Sequence, residues 1–246
     1  MSPRARVYSV VGACAVGAAA IVVGITAATH HSPPKPKHPC PADVAKEAGS
    51  VSDLQRAPQT AKNRFRLGLA YFCAGDSSNA AVAWRGVKRT APDSPYAVLA
   101  MNLLHPDLPR GQPIFEPSFT RVTTYVERLL ARGIALQQAM HTLSAERVFA
   151  QAARLAPNDA DAQVAAAVGL FDKDNPTPAF SHLGPLVRRF PHAQVVRFHL
   201  GLLSIWIKDF ADARKQLRLA VADGSGTRFA REANVLLSRL GNGGTG

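Results

Sequence analysis

Between Val126 and Thr227 the same spacing of small and large apolar residues returns every 34 positions, and nothing else in the chain restricts its fold as much. From Gly133 a small residue stands twelve on at Ala145, a large ring sixteen on at Phe149, a small residue nineteen on at Ala152 and a proline twenty-four on at Pro157. From Ala167 the same offsets reach Ala179, Leu183, Leu186 and Pro191, and from Gly201 they reach Ala213, Leu217, Ala220 and Ser225. Two helices approach closely only where both are small at the crossing, and a large residue beside the crossing fills the groove that remains. One helix pair cannot bury its apolar face alone, whereas three in register cover each other. The spacing therefore predicts an all-α chain of stacked antiparallel helix pairs.

Upstream, Gly68 opens a further match, with Leu67 before it, Tyr71 after it, and Ala80, Trp84 and Pro92 at the expected offsets; Val87 stands where a smaller residue is usual. This pattern resembles the tetratricopeptide repeat (TPR), whose unit is a helix, a tight turn and a second antiparallel helix. The resemblance covers about 160 of the 246 residues. It implies a solenoid whose concave face, built from the first helix of each unit, binds partners. Helical periodicity gathers that face into four columns: Phe65, Leu69, Phe72 and Cys73; Leu130, Ile134 and Gln137; Val164, Val168 and Phe171; Phe198, Leu202 and Trp206. Chaperone-binding members of the family line this face with lysine and asparagine. Here it is mostly apolar, so their carboxylate clamp is not carried over.

From Gly68 to Gly133 is 65 residues, or 34 plus 31, so one further unit nearly fits between the blocks. Pro95–Leu104 reads as its first helix, but Pro106, Pro109, Pro113 and Pro117 forbid the second. The unit is half missing. An exposed apolar patch of the size predicted for the columns requires cover. Either a partner's amphipathic helix or the chain's own loop from His105 to Pro117 supplies it, since Ile114, Phe115 and Phe119 fall in a segment too long for a mere turn, or else some of the rings turn into the inter-helix core.

The remaining helices are expected at Asp43–Leu54, Ala61–Ala74, Asn79–Thr90, Phe119–Met140, Ser144–Leu155, Asp159–Phe171, Pro178–Arg189, Ala193–Lys208, Ala211–Val221 and, as a closing amphipathic helix, Arg228–Leu240. Before them, residues 7–29 carry no charge over 23 positions, enough to reach roughly 34 Å against a hydrocarbon core of about 30 Å. That length favours an uncleaved anchor over a signal peptide, although Thr26-Ala27-Ala28 resembles a cleavage site. Arg4 and Arg6 precede the span and Lys35 and Lys37 follow it, which with the short tail favours a single-pass protein of the cell membrane with its repeats outside the cytoplasm. Residues 30–41 hold five prolines and read as an extended spacer. The domain plan is thus tail and anchor 1–29, spacer 30–41, first unit and half unit 42–104, loop 105–117, three units and closing helix 118–240, and a disordered tail 241–246. Cys40 and Cys73 are the only cysteines outside the apolar span. Outside the cytoplasm they either pair, closing a loop of about 30 residues for about 3 kcal/mol, or remain two thiols.

Lysine and arginine number 29 against 17 acidic residues, a formal charge of +12. The excess reads as a solvated arginine-rich surface or as attraction to an anionic envelope polymer or lipid headgroup. The absence of aromatic-basic stacking motifs and of zinc-finger spacing argues against nucleic acid. No catalytic, cofactor or metal constellation is found. His192 and His199 share a helix without a carboxylate nearby; Asp223-Gly224-Ser225-Gly226-Thr227 follows a helix, not a strand; and Asp172, Asp174 and Asn175 lack the glutamate that closes a calcium loop. The expected function is a non-enzymatic protein-binding scaffold, with the arginine-mediated envelope factor as the alternative.

Overall fold

The computed structural model describes residues 40–242, and every regular element among them is a helix. The expected anchor at 7–29, most of the spacer and the last residues 243–246 lie outside the described residues. Among those described, no helix is long and apolar enough to cross a membrane. The chain divides into two compact units, Met1–Gly86 and Val87–Gly246.

In the first unit, α1 (Ala42–Ala48) and α2 (Val51–Arg56) stand where a single leading helix Asp43–Leu54 was expected. Gly49 breaks it, with φ at 78°, in the left-handed region that only glycine enters freely. Both short helices pack on α3 (Ala61–Cys73). Arg66 Nε donates to the Glu47 carbonyl at 2.7 Å, Gln55 Nε2 donates to the Tyr71 hydroxyl at 2.7 Å, and a disulfide joins Cys40 to Cys73. Thr60 caps α3, and Asp76 caps α4 (Ser77–Thr90) by accepting from the Asn79 N–H at 3.0 Å.

The second unit takes the last residues of α4, from Val87, and continues with α5 (Pro95–Leu104), started by Ser94 as cap and Pro95 in the first turn. Then come α6 (Tyr125–Gln138), α7 (Thr142–Leu155), α8 (Ala160–Gly169), α9 (Thr177–Arg189), α10 (Gln194–Trp206), α11 (Phe210–Ala222) and α12 (Arg228–Asn242). From α6 onward each helix packs on the next, and α6 with α8, α8 with α10 and α10 with α12 also touch, so the first helices of successive pairs form one continuous layer. Helix α6 starts six residues later than the expected Phe119. Thr124 and Glu127 form a capping box there, and the residues before it belong to an extended segment.

The repeating offset of sixteen has a direct structural meaning. A Cβ added at Gly68 would collide with the Trp84 ring, one at Gly133 with the Phe149 ring, and one at Gly201 would come within 2.7 Å of Leu217 Cγ. Ala167 and Leu183, at the same offset, are both fully buried. At the three glycine crossings the large side chain of the second helix thus seats on the bare backbone of the first. The turns repeat as well. Gly75, Met140 and Lys208, each seven residues past those glycines, have φ of 82°, 61° and 62°. The next residues, Asp76, His141 and Asp209, reach back to the carbonyls of Tyr71, Leu136 and Ser204 in the same left-handed helix ending.

Candidate functional site

The segment between α5 and α6, residues 105–124, is the longest irregular stretch within the described residues, and it does not project into solvent. Four prolines deny it a helix, and a strand's worth of backbone groups then requires partners. Side chains of the first-helix layer provide them. Gln137, on α6, accepts from the Phe115 N–H through Oε1 at 2.9 Å and donates through Nε2 to the Pro113 carbonyl at 3.2 Å. One amide thereby serves two groups on the same edge of an extended chain, as a neighbouring strand would. Gln112 Nε2 returns a bond to the Gln137 carbonyl at 2.9 Å.

His199, on α10, accepts from the Glu116 N–H at Nε2, 3.0 Å away, and its Nδ1 lies 2.8 Å from the Val195 carbonyl. An acceptor Nε2 beside a carbonyl at Nδ1 requires the neutral Nδ1–H tautomer. Complete burial pushes the ring's pKa down to about 4, so the imidazole is neutral at ordinary pH. Asp161, on α8, accepts from the Ser118 N–H at 2.7 Å and from the Ser118 hydroxyl, while Arg228, at the start of α12, donates to the Pro117 carbonyl. Burial raises the Asp161 pKa, with the Ser118 bonds opposing it. Each of the four first-layer helices therefore contributes one side chain to one strap.

The strap's apolar anchor is Phe115, 1% exposed. Its ring meets Phe149 edge-on at 5.8 Å and stacks on His199 at 5.2 Å. Such a ring buries a large apolar area and gains about 0.5–1.5 kcal/mol more from each well-oriented aromatic neighbour.

No model of a known protein family matches the chain, and no curated protein matches it.

The structure corrects the solvent-facing apolar columns. Phe65, Leu69, Leu130, Val164, Val168, Phe198 and Trp206 are buried in the core, and Phe72, Ile134, Phe171 and Leu202 are half-buried. Periodicity identified the inward side of each first helix correctly but assigned it to an open groove. In the first unit α1, α2 and the Trp84 side of α4 pack against α3, and Trp84 Nε1 donates to the Phe65 carbonyl at 3.3 Å. In the array, Phe198 lies 5.0 Å from Phe229, Phe171 meets Trp206 edge-on at 5.9 Å, and the strap covers the layer. Cys40 and Cys73, expected either paired or free, are bonded to each other.

Of the side chains that hold the strap, only Gln137 fell within a predicted column. His199 stands in the sequence without a nearby carboxylate, and Arg228 follows the Gly-rich run 223–227 that no strand precedes. Asp161 carried no signal, because a first-turn aspartate normally serves its own helix. His192 is exposed and meets none of them. Asp172 and Asp174, weighed as a calcium loop, instead bind Lys88 Nζ at 2.7 and 2.5 Å, and Asp174 also meets His105 at 2.7 Å. Among the described residues no three His, Cys, Asp or Glu side chains are grouped to hold a metal.

Proposed function

We propose that the protein is a membrane-tethered, non-enzymatic interaction module of the TPR type, which holds an extended peptide segment on the face made by its first helices. One observation carries this reading: the strap is gripped mainly through its backbone, by one side chain from each of four successive first-layer helices, around the single anchor Phe115. Backbone gripping with one buried aromatic anchor is what recognition of an extended partner chain requires. The strap is then an internal occupant. A tethered occupant acts at an effective concentration in the mM range, so a partner must bind tightly or arrive where the strap is loosened. The uncharged stretch 7–29 supports the tether, and the bonded Cys40–Cys73 pair supports an oxidising compartment outside the cytoplasm.

A synthetic peptide of residues 111–120 tests the reading against full-length protein in which 112–118 have been replaced by glycine and serine at equal length. The expected result is saturable binding near the µM range to the replaced protein and none to the native one, with little change as salt rises about tenfold. The Phe115→Ala peptide should bind at least about tenfold more weakly. Failure of a helical, strap-replaced protein to bind overturns the proposal. Binding that collapses with salt favours the arginine-mediated envelope factor instead.

A further inference from the structure

Where the half unit lacks its second helix, the extended strap fills less space than a helix would. A cavity of about 210 Å³ remains between α5, the strap, the start of α7 and the end of α8. Its wall includes Val98, Met101, Leu143 and Phe171 as apolar surface and Glu146 and Lys173 as charged groups. Lys88 and Asp172 also reach it but are engaged with each other.

Lys173 and Glu146 are not so engaged. Lys173 Nζ donates to Asn102 Oδ1 at 2.7 Å and to the Pro109 carbonyl at 2.6 Å, and lies 5.4 Å from the Trp206 ring centre. No carboxylate pairs with it among the described residues, and burial lowers its pKa to about 8. Glu146 has no hydrogen-bond or salt-bridge partner among the described residues, and burial raises its pKa, with the Arg147 charge opposing. A half-buried charge without a direct ion pair is costly, and here one of each sign borders the same apolar-walled space.

We propose that this cavity binds a free α-amino acid with an apolar side chain. The ligand's carboxylate takes the remaining N–H of Lys173, its ammonium pairs with Glu146, and its side chain lies on Val98, Met101, Leu143 and Phe171. A simple carboxylate would leave Glu146 facing another anion, and a simple amine would leave Lys173 facing another cation; a zwitterion neutralises both. The volume falls below the roughly 300–1,000 Å³ of sites for drug-sized ligands, which fits a ligand of this size. Because Lys173 and Asn102 also hold the strap, at the Pro109 carbonyl and the Gly111 N–H, an occupied cavity fastens the strap's first half. The proposal does not rest on the reading of the first-helix face, because Lys173 and Glu146 are not among the four side chains that grip the strap there.

Calorimetric titration of the full-length protein with L-valine, L-leucine, L-methionine and L-phenylalanine tests the proposal. At least one should bind saturably at or below the mM range, and its N-acetyl and carboxamide derivatives should each bind at least about tenfold more weakly. Glu146→Gln keeps the shape and removes only the charge, so it should weaken binding about tenfold or more with the melting temperature of the unliganded protein not lowered. Lys173→Met should weaken binding as much while also lowering the melting temperature, since it frees Asn102 and the Pro109 carbonyl, and Val98→Trp should abolish binding by filling the space. Absence of saturable binding by all four amino acids overturns the proposal. So does equal binding of the blocked derivatives, or binding that survives Glu146→Gln.

Discussion

The two compact units face a common problem, an apolar first helix that must be covered, and they meet it differently. In Met1–Gly86 the cover is two short helices pinned to α3 by the Cys40–Cys73 disulfide. In Val87–Gly246 it is a proline-rich strap held by Phe115 and by hydrogen bonds from four helices. The difference follows from size. A unit of a few short helices buries too little apolar surface to hold its own flap, so a covalent link that restricts the unfolded chain contributes most. A layer of several first helices repeats its geometry at regular intervals, and a long extended segment can take one polar anchor from each. The same polar anchors make the array's cover sensitive to protonation, which a disulfide is not.

The largest expected effect sharpens that contrast from the array's side. Phe115→Ala should destabilise Val87–Gly246 by about 3–5 kcal/mol, through lost burial and the cavity left between Phe149 and His199. Urea unfolding monitored by hydrogen exchange in α6–α10 measures it. A loss under about 1 kcal/mol would mean that the strap merely lies on the array.

Next, Cys73→Ser should cost the first unit about 3–4 kcal/mol, from a sequence separation of 33 residues in the chain-entropy account. Exchange protection in α1–α3 with and without reductant reads the change. Unaltered protection would remove the covalent half of the comparison.

Third, the array should lose stability in mild acid. His199 has a folded pKa of about 4 against an unfolded value near 6.5, so the unfolded chain binds the proton first as pH falls. Its contribution is full above pH ~6.5 and declines towards pH ~4, by about 2 kcal/mol between pH 7 and 5. Asp161 works in the opposite sense, since its raised pKa lets the folded state hold its proton to higher pH. Comparing melting curves with His199→Gln isolates the histidine, because the amide oxygen can still accept from Glu116 but does not titrate. An identical acid response in the variant would rule out His199 as the source.

The smallest effect concerns a feature the units share. Gly75, Met140 and Lys208 occupy the same left-handed position after a first helix. Met140→Gly and Lys208→Gly should each stabilise by about 1 kcal/mol, and Gly75→Ala should destabilise by a similar amount, as chemical denaturation would register. A loss on installing glycine would show that these side chains contribute more than their strain costs.

Much of the helical layout was legible because it follows from local rules. Pro95–Leu104 is reproduced to the residue, and the ends of α7, α9 and α11 fall within a residue or two of expectation, since proline, cap residues and the helical period act over a few neighbours. The errors lie where a local rule met a distant demand. The stretch from Phe119 is compatible with a helix, but Asp161 and Arg228, far along the chain, hold the adjoining Ser118 and Pro117 as strap, and α6 starts only at the Thr124 cap. The leading helix was drawn through Gly49, where the chain bends so that both halves can reach α3.

By itself the sequence determined which residues pack at each helix crossing. At Gly68, Gly133 and Gly201 the offset of sixteen is a contact, a large side chain over bare backbone, and only a small residue permits it. The sequence also determined that a four-proline segment could be no helix, and which two cysteines outside the apolar span were available to pair. Only the tertiary structure decided what lies on the first-helix face. Periodicity reports that a side of a helix is apolar but not what covers it, and the covering segment is recognised mainly through its backbone, which every sequence shares. Gln137, Asp161, His199 and Arg228 acquire their common role when folding brings positions from 137 to 228 to one strap.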